Sequence, residues 1–335
     1  SNPSSIGWTL TLDKPSYILA MAGMLLQMCR QACTTEREDP TVTAERVKKA
    51  SISWPPPGRS MLMPCVFLNH GGGPMPLLGQ QPDVARFCSS YAATLPAKPR
   101  AIVVFTAHWE EKVTTVSSAA SPPLYFDYYG FPSQCYKYKY PAPGAPALAE
   151  HIQSLLTKAS FQVAANSGRG WDHGVFVPLM LMFPDADIPV VSLSLLASQD
   201  AGQQIAVGEA LRPLRDQGVL LIGSGYTFHN FKHMKAVLMP GGDESARKAG
   251  IQHSRDFDSF LRQTISGDAT YANRKESLAK WRQAPGASEA HPPGGAEHLM
   301  PLLAMFGAGG EDAKVKASPE VQTTSTLAVS AFEFV

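Results

Sequence analysis

Short uncharged apolar runs alternate along this chain with longer stretches whose apolar residues recur at helical spacing. Residues 61–68, 101–106, 188–195 and 218–222 are runs of strand length, rich in aliphatic residues and free of charge. Runs of this kind predict strands buried on both faces. A further strand is expected over 112–116, and the Thr/Ser/Val-rich tail over 321–335 reads as a closing strand. Residues 83–95 place Val84, Phe87, Cys88, Tyr91 and Leu95 on one helical face. Helices are also expected over 145–159, 200–215, 244–266 and 276–283, in the apolar stretch 175–183, and from Glu297 onward. Strand and helix alternating along one chain predict an α/β architecture. No linker after residue 60 is strong enough to cut a second domain, so residues 61–335 read as one unit.

Three of the apolar runs are followed closely by a histidine: His70, His108 and, after a Gly-Ser-Gly loop, His229. The carboxyl ends of strands in an open α/β sheet form the crevice where ligands bind. Neutral imidazole is the commonest protein ligand for transition metals, so a metal site is the first expectation.

Composition narrows the field. The 335 residues carry a net charge of +1, with 44% hydrophobic and 17% charged residues. This balance gives no electrostatic reason to expect a nucleic-acid or membrane partner. The five cysteines show no CxxC pair, which favours a reducing, cytoplasmic compartment over a disulfide framework. Residues 17–26 form an apolar run too short for a bilayer, which needs roughly 20 residues. Residues 1–60 are therefore read as a helical extension ending in a Pro-rich linker, with a targeting segment left open.

Other motifs carry alternatives. Gly71-Gly72-Gly73 lets the backbone approach a ligand, but it lacks the Lys-Ser/Thr ending of a phosphate loop. Eight aromatics fall within residues 125–140, broken by Pro and Gly. They fit either a covering loop or a lid giving flat walls to an aromatic substrate, with Tyr128, Tyr129 and Trp109 as candidate contacts. Asp172-His173 fits either a helix cap or a pocket histidine oriented by its acidic neighbour. Ser224 lacks the five-residue nucleophile elbow. His151 and His253 read as surface residues, and His291 falls in a loop expected over 285–295.

In order along the chain, His70-Gly-Gly-Gly-Pro74, Thr106-Ala-His108-Trp109, Tyr140-Pro-Ala-Pro-Gly144, Trp171-Asp-His173-Gly174, His229-Asn230 and Glu297-His298-Leu-x-Pro301 resemble the class III extradiol ring-cleavage dioxygenases (LigB-like), in the DOPA 4,5-dioxygenase branch. The first motif carries one glycine more than the usual His-Gly-Ser-Pro. The resemblance implies a three-layer α/β/α sandwich around a central mixed, largely parallel sheet. It implies His70, His108 and His298 as metal ligands, with Glu297 as fallback for the third. His229 is implied as a further ligand or an acid–base residue, and His173 as a substrate-facing catalytic histidine. The implied reaction inserts O2 into a catechol at Fe(II), giving a muconic semialdehyde, with Zn(II) possible as the bound ion. The same imidazoles would suit a zinc hydrolase, and a non-catalytic scaffold of the same fold is the third reading.

Overall fold

A computed structural model describes Trp54 and residues 61–238, 241–318 and 326–335. The expected N-terminal extension and most of the linker lie outside the described residues, as does the first part of the tail strand. Among the described residues, eight strands form one sheet in the order β4-β3-β5-β2-β6-β1-β8-β7. They are β1 (Cys65–Asn69), β2 (Ala101–Glu111), β3 (Thr114–Ser117), β4 (Val163–Asn166), β5 (Val190–Leu196), β6 (Val219–Gly225), β7 (Val315–Ser318) and β8 (Ala331–Phe334). The four central strands run parallel, while β3 is antiparallel to β5 and β8 is antiparallel to both its neighbours. The sheet is mixed around a parallel centre, as expected.

Period-2 alternation divides each central strand between two cores. Cys65, Phe67, Val103, Phe105, Val219 and Leu221 face one cluster, and Val66, Leu68, Ile102, Val104, Leu220 and Ile222 the other. The first is covered by α2 (Pro146–Lys158), α4 (Ala201–Leu211), α7 (Glu244–Ser266) and α10 (Met300–Gly309). The second is covered by α1 (Pro82–Tyr91) and α3 (His173–Met182). Helices on both faces make the three-layer sandwich. Asp200 starts α4 by accepting from the Gln203 N–H at 2.8 Å, and Asp243 does the same for α7. No helix of the described residues is long and apolar enough to cross a membrane.

Several elements differ from the sequence expectation. Strand β2 runs on through His108 to Glu111 instead of ending at residue 106, with a register shift between Phe105 and Glu110. Two edge strands, β4 and β7, went unpredicted, because half-exposed four-residue segments carry little periodicity. The helix expected over 276–283 is α8, Tyr271–Ala279, started by Thr270 accepting from the Asn273 N–H. Further helical turns are α5 (Pro213–Asp216), α6 (Phe231–Leu238) and α9 (Ala287–Ala290), the last inside the expected loop. The final long helix begins at Met300, not Glu297, so His298 lies in the turn before it.

Candidate metal centre

The pairing of three adjacent parallel strands stops side by side here. Ser224 near the end of β6 pairs with Leu68 of β1 on one side and Thr106 of β2 on the other. His70 follows β1, and its N–H donates to the Gly225 carbonyl. His173 is the first residue of α3. His298 reaches the same rim because its turn lies directly on β6. Its carbonyl accepts from the Tyr226 N–H at 2.9 Å, and a Cβ at Gly225 would fall on that same carbonyl. Only glycine permits this approach.

The histidines converge. His70 Nε2 and His108 Nε2 lie 3.2 Å apart. The ring centres of His70, His108 and His298 are separated by 4.9, 5.3 and 4.9 Å. An ion about 2.1 Å from an imidazole nitrogen lies roughly 3.2 Å from the ring centre, so rings sharing one ion stay within about 6.4 Å. All three pairs satisfy that limit. His173 lies 5.2 Å from His70 and 4.1 Å from His108. Measured at the donor atoms, the grouping differs. Those of His70, His108 and His173 lie within 4.8 Å of one another, while those of His229, Glu297 and His298 form a second such group. Three ligand triads are therefore open: His70 and His108 with His298 by ring spacing, the same pair with His173 by donor atoms, and His229 with Glu297 and His298.

Three of the rings, His70, His298 and His173, are oriented from behind through Nδ1. His70 Nδ1 is 2.9 Å from Ser224 Oγ, and the Ser224 hydroxyl donates to the Gly174 carbonyl. That carbonyl is free because Pro178, four residues on within α3, has no N–H to offer it. With its proton committed, Ser224 accepts from His70 Nδ1–H and leaves the Nε2 lone pair facing the centre. His298 Nδ1 lies 3.3 Å from Glu297 Oε1. His173 Nδ1 and backbone N–H both donate to Asp127 Oδ1 at 2.9 Å, and Asp127 Oδ2 stands 3.7 Å from His108 Nδ1.

Protonation follows this arrangement. Burial, then mutual repulsion among the rings, holds His70, His229 and His298 well below the usual histidine range, and His108 is lowered by burial and His173. These are neutral imidazoles, the form that binds a metal. His173 is the exception. Burial pushes its proton affinity down, but the Asp127 carboxylate outweighs this and the net direction is up. Burial likewise raises Asp127, yet His173 holds it below the usual carboxylate range. A cluster of neutral, pre-aimed imidazoles fits a divalent first-row metal ion.

Residues 64–334 match the family described as the catalytic LigB subunit of aromatic ring-opening dioxygenase. The chain belongs to the LigB family. It is 42% identical over 270 residues to the dioxygenase tasH of Hapsidospora irregularis, covering 77% of this chain and 82% of the relative. It is 38% identical over 253 residues to a 4,5-DOPA dioxygenase extradiol of Beta vulgaris, covering 75% and 88%. A crystal structure of an uncharacterized protein from Escherichia coli K12 superposes with a TM-score of 0.62 at 28% identity, covering 82% of this chain and all of that one.

Within this LigB domain the other expected site residues are placed as follows. His229 stacks on His298 with ring centres 3.4 Å apart, its Nδ1 3.8 Å from Glu297 Oε1. Tyr128 packs edge-on to His173 at 6.0 Å, but its hydroxyl is committed to the Cys135 carbonyl. The Tyr129 hydroxyl is buried without a partner among the described residues. Trp109 packs against Arg169 and donates to Glu111. Asp172 stands at the start of α3, but its side chain caps nothing, and the acid that orients His173 is Asp127. His291 is fully buried between Phe257 and Trp281, and His151 and His253 are half-buried on α2 and α7. Asp127, Ser224 and Tyr226, whose ring meets His70 edge-on at 5.4 Å, are the functional positions that sequence reasoning missed.

The three glycines after His70 are not equivalent. Gly71 has φ +85° and a Cβ there would strike Pro76 and Gln81; Gly73 has φ +58° and would press on Phe131. Gly72 needs no positive φ, and its Cβ would meet the ends of two flexible side chains, the Met75 sulfur at 3.1 Å and Gln81 Nε2 at 3.9 Å. Gly72→Ala is therefore expected to leave stability within about 0.5 kcal/mol. Gly71→Ala is expected to cost more than about 1–2 kcal/mol from backbone strain alone, as read by urea unfolding of each variant.

Proposed function

We propose that this protein is an extradiol dioxygenase that opens a substituted catechol, DOPA-like in class, with both atoms of O2 entering the product. The bond broken lies between a hydroxylated ring carbon and its unhydroxylated neighbour, which leaves a muconic semialdehyde. His70, His108 and His298 would hold Fe(II). Iron bound there supplies a Lewis acid that lowers the pKa of a catechol hydroxyl and a redox partner for O2.

The chain's own contribution is orientation and proton handling. Ser224, Glu297 and Asp127 keep Nδ1 of His70, His298 and His173 occupied, which leaves Nε2 of those rings free. His173, whose proton Asp127 stabilises, takes a hydroxyl proton from the substrate at Nε2 and later returns it. Tyr128 packs edge-on to His173 on that side of the site and is backed by the buried Phe176. The observation that carries this reading is the Asp127–His173 pair beside the neutral His70–His108 pair, an acid–base residue next to a metal-type donor set. A second reading, His173 as third ligand, is favoured by the 4.8 Å grouping of its donor atom with those of His70 and His108.

The test is anaerobic loading with Fe(II), followed by O2 and a panel of catechols including DOPA, caffeate and protocatechuate. Stoichiometric O2 uptake with a new visible chromophore is the expected outcome. Oxygen-independent hydrolysis of an ester and amide panel by the zinc-loaded protein would instead favour the hydrolase, and inactivity in both would favour a scaffold. The relative at 42% identity is named only a dioxygenase, so the panel must reach beyond DOPA.

A further inference from the structure

We propose that Thr106, Arg169 and Asp172 form a polar clamp that replaces the sheet ladder around His108 and so fixes the aim of its imidazole; the proposal rests on the reading of His108 as a metal ligand. The need for a clamp comes from the shift in β2. Phe105 pairs with Leu193 of β5, but the next pair is Glu110 with Leu195, and on the β6 side pairing stops at Thr106. Ala107, His108 and Trp109 have no register partner on either side among the described residues. The bulge turns His108 into the centre, yet it deprives the His108 peptide groups of strand partners, and buried peptide groups must be paired.

Both groups are satisfied by side chains. The His108 N–H donates to Thr106 Oγ1 at 3.2 Å, and the His108 carbonyl accepts from Arg169 at 3.0 Å. Asp172 ties the two partners together. Its Oδ1 accepts from the Thr106 hydroxyl at 2.7 Å, and its Oδ2 accepts from the same Arg169 nitrogen at 2.9 Å. The Asp172 side chain is only 1% exposed, so the pair sits where water cannot substitute for a lost bond.

Arg169 is itself held flat. Its guanidinium lies 5.3 Å from the Trp109 ring centre and 5.0 Å from that of Tyr125, and Asn166 at the end of β4 accepts from the Arg169 N–H. Both bonds leave from one guanidinium nitrogen, so what lysine lacks here is the planar group that stacks between the two rings. Gly174 completes the fit, since a Cβ there would come within 2.9 Å of Thr106 Oγ1 and 3.1 Å of Asp172 Oδ1.

The experiment compares wild type with Thr106→Val, Thr106→Ser, Asp172→Asn and Arg169→Lys on two readouts. The first is amide hydrogen exchange over residues 107–109 in the metal-free protein. The second is Co(II) affinity by chelator competition. Thr106→Val, Asp172→Asn and Arg169→Lys are expected to speed exchange over 107–109 at least about 10-fold, with the β1 and β6 amides unchanged, and to weaken Co(II) binding about 10–100-fold. Thr106→Ser keeps the hydroxyl and is expected to match wild type on both. Unchanged exchange in the folded variants overturns the clamp. Faster exchange with unaltered Co(II) affinity overturns its role in aiming His108. If wild-type protein fails to bind Co(II), the ligand reading itself is wrong, and the exchange data alone decide whether the clamp exists.

Discussion

His108→Ala is expected to abolish metal retention, with affinity falling by more than the roughly 100-fold that loss of an outer partner can cost. His108 is the hub of the cluster. Its Nε2 faces His70 Nε2 at 3.2 Å, and its ring neighbours those of His70, His173 and His298 within 4.9 Å. It belongs to both triads built on His70, and only the His229, Glu297 and His298 grouping would spare it. His70, His298 and His173 are each fixed through Nδ1 by Ser224, Glu297 or Asp127 and would have to break that bond to move into its place. Dioxygenase activity should fall with the metal. The measurement is metal content after dialysis against a mild chelator, with His253→Ala as the control that keeps its ion. A His108→Ala protein that retains stoichiometric metal would overturn the His70–His108 site and move the ion to His229, Glu297 and His298.

How far the sequence disclosed this site depends on which residues are considered. The runs that became β1, β2 and β6 were legible because short uncharged aliphatic runs have few other structural uses, and those of β1 and β2 are each followed within two residues by a histidine of the rim. His298 was legible only through the order of motifs, since nothing local distinguishes a turn from the first turn of a helix. Asp127 was not legible. It lies 46 residues before His173 in an irregular aromatic loop, and the adjacent Asp172 offered a simpler partner. Asp172 turns instead towards Thr106 and Arg169, a pairing across β2 that no sequence period encodes. Ser224 was weighed as a nucleophile and set aside. Its work, holding one tautomer of His70, depends on a carbonyl freed by Pro178 on another element. Orientation from behind is a tertiary property, which is why the inward-facing residues were found and their supports were not.

His173→Ala is expected to keep the metal and lower turnover by about 10²–10⁴-fold, the range general acid–base catalysis supplies. The argument rests on the pull of Asp127. A ring that donates Nδ1–H to a carboxylate at 2.9 Å, and whose proton affinity is raised against the opposing effect of burial, is suited to accept a proton at Nε2. Its neighbours, held neutral, are not. Asp127→Asn sharpens the test, because an amide can present either a donor or an acceptor to Nδ1 and no longer enforces the productive tautomer. That variant is expected to bind metal and to lose turnover on the order of 10²-fold or more, with KM for the catechol little changed, since neither group is asked to hold the ring. His298→Ala provides the counterpart: if His298 is the third ligand, its loss releases the metal while loss of His173 does not. The reverse pattern, metal lost in His173→Ala and kept in His298→Ala, would move His173 into the coordination sphere. Proton transfer would then pass to the stacked His229–His298 pair beside Glu297, the remaining imidazoles with a carboxylate in reach.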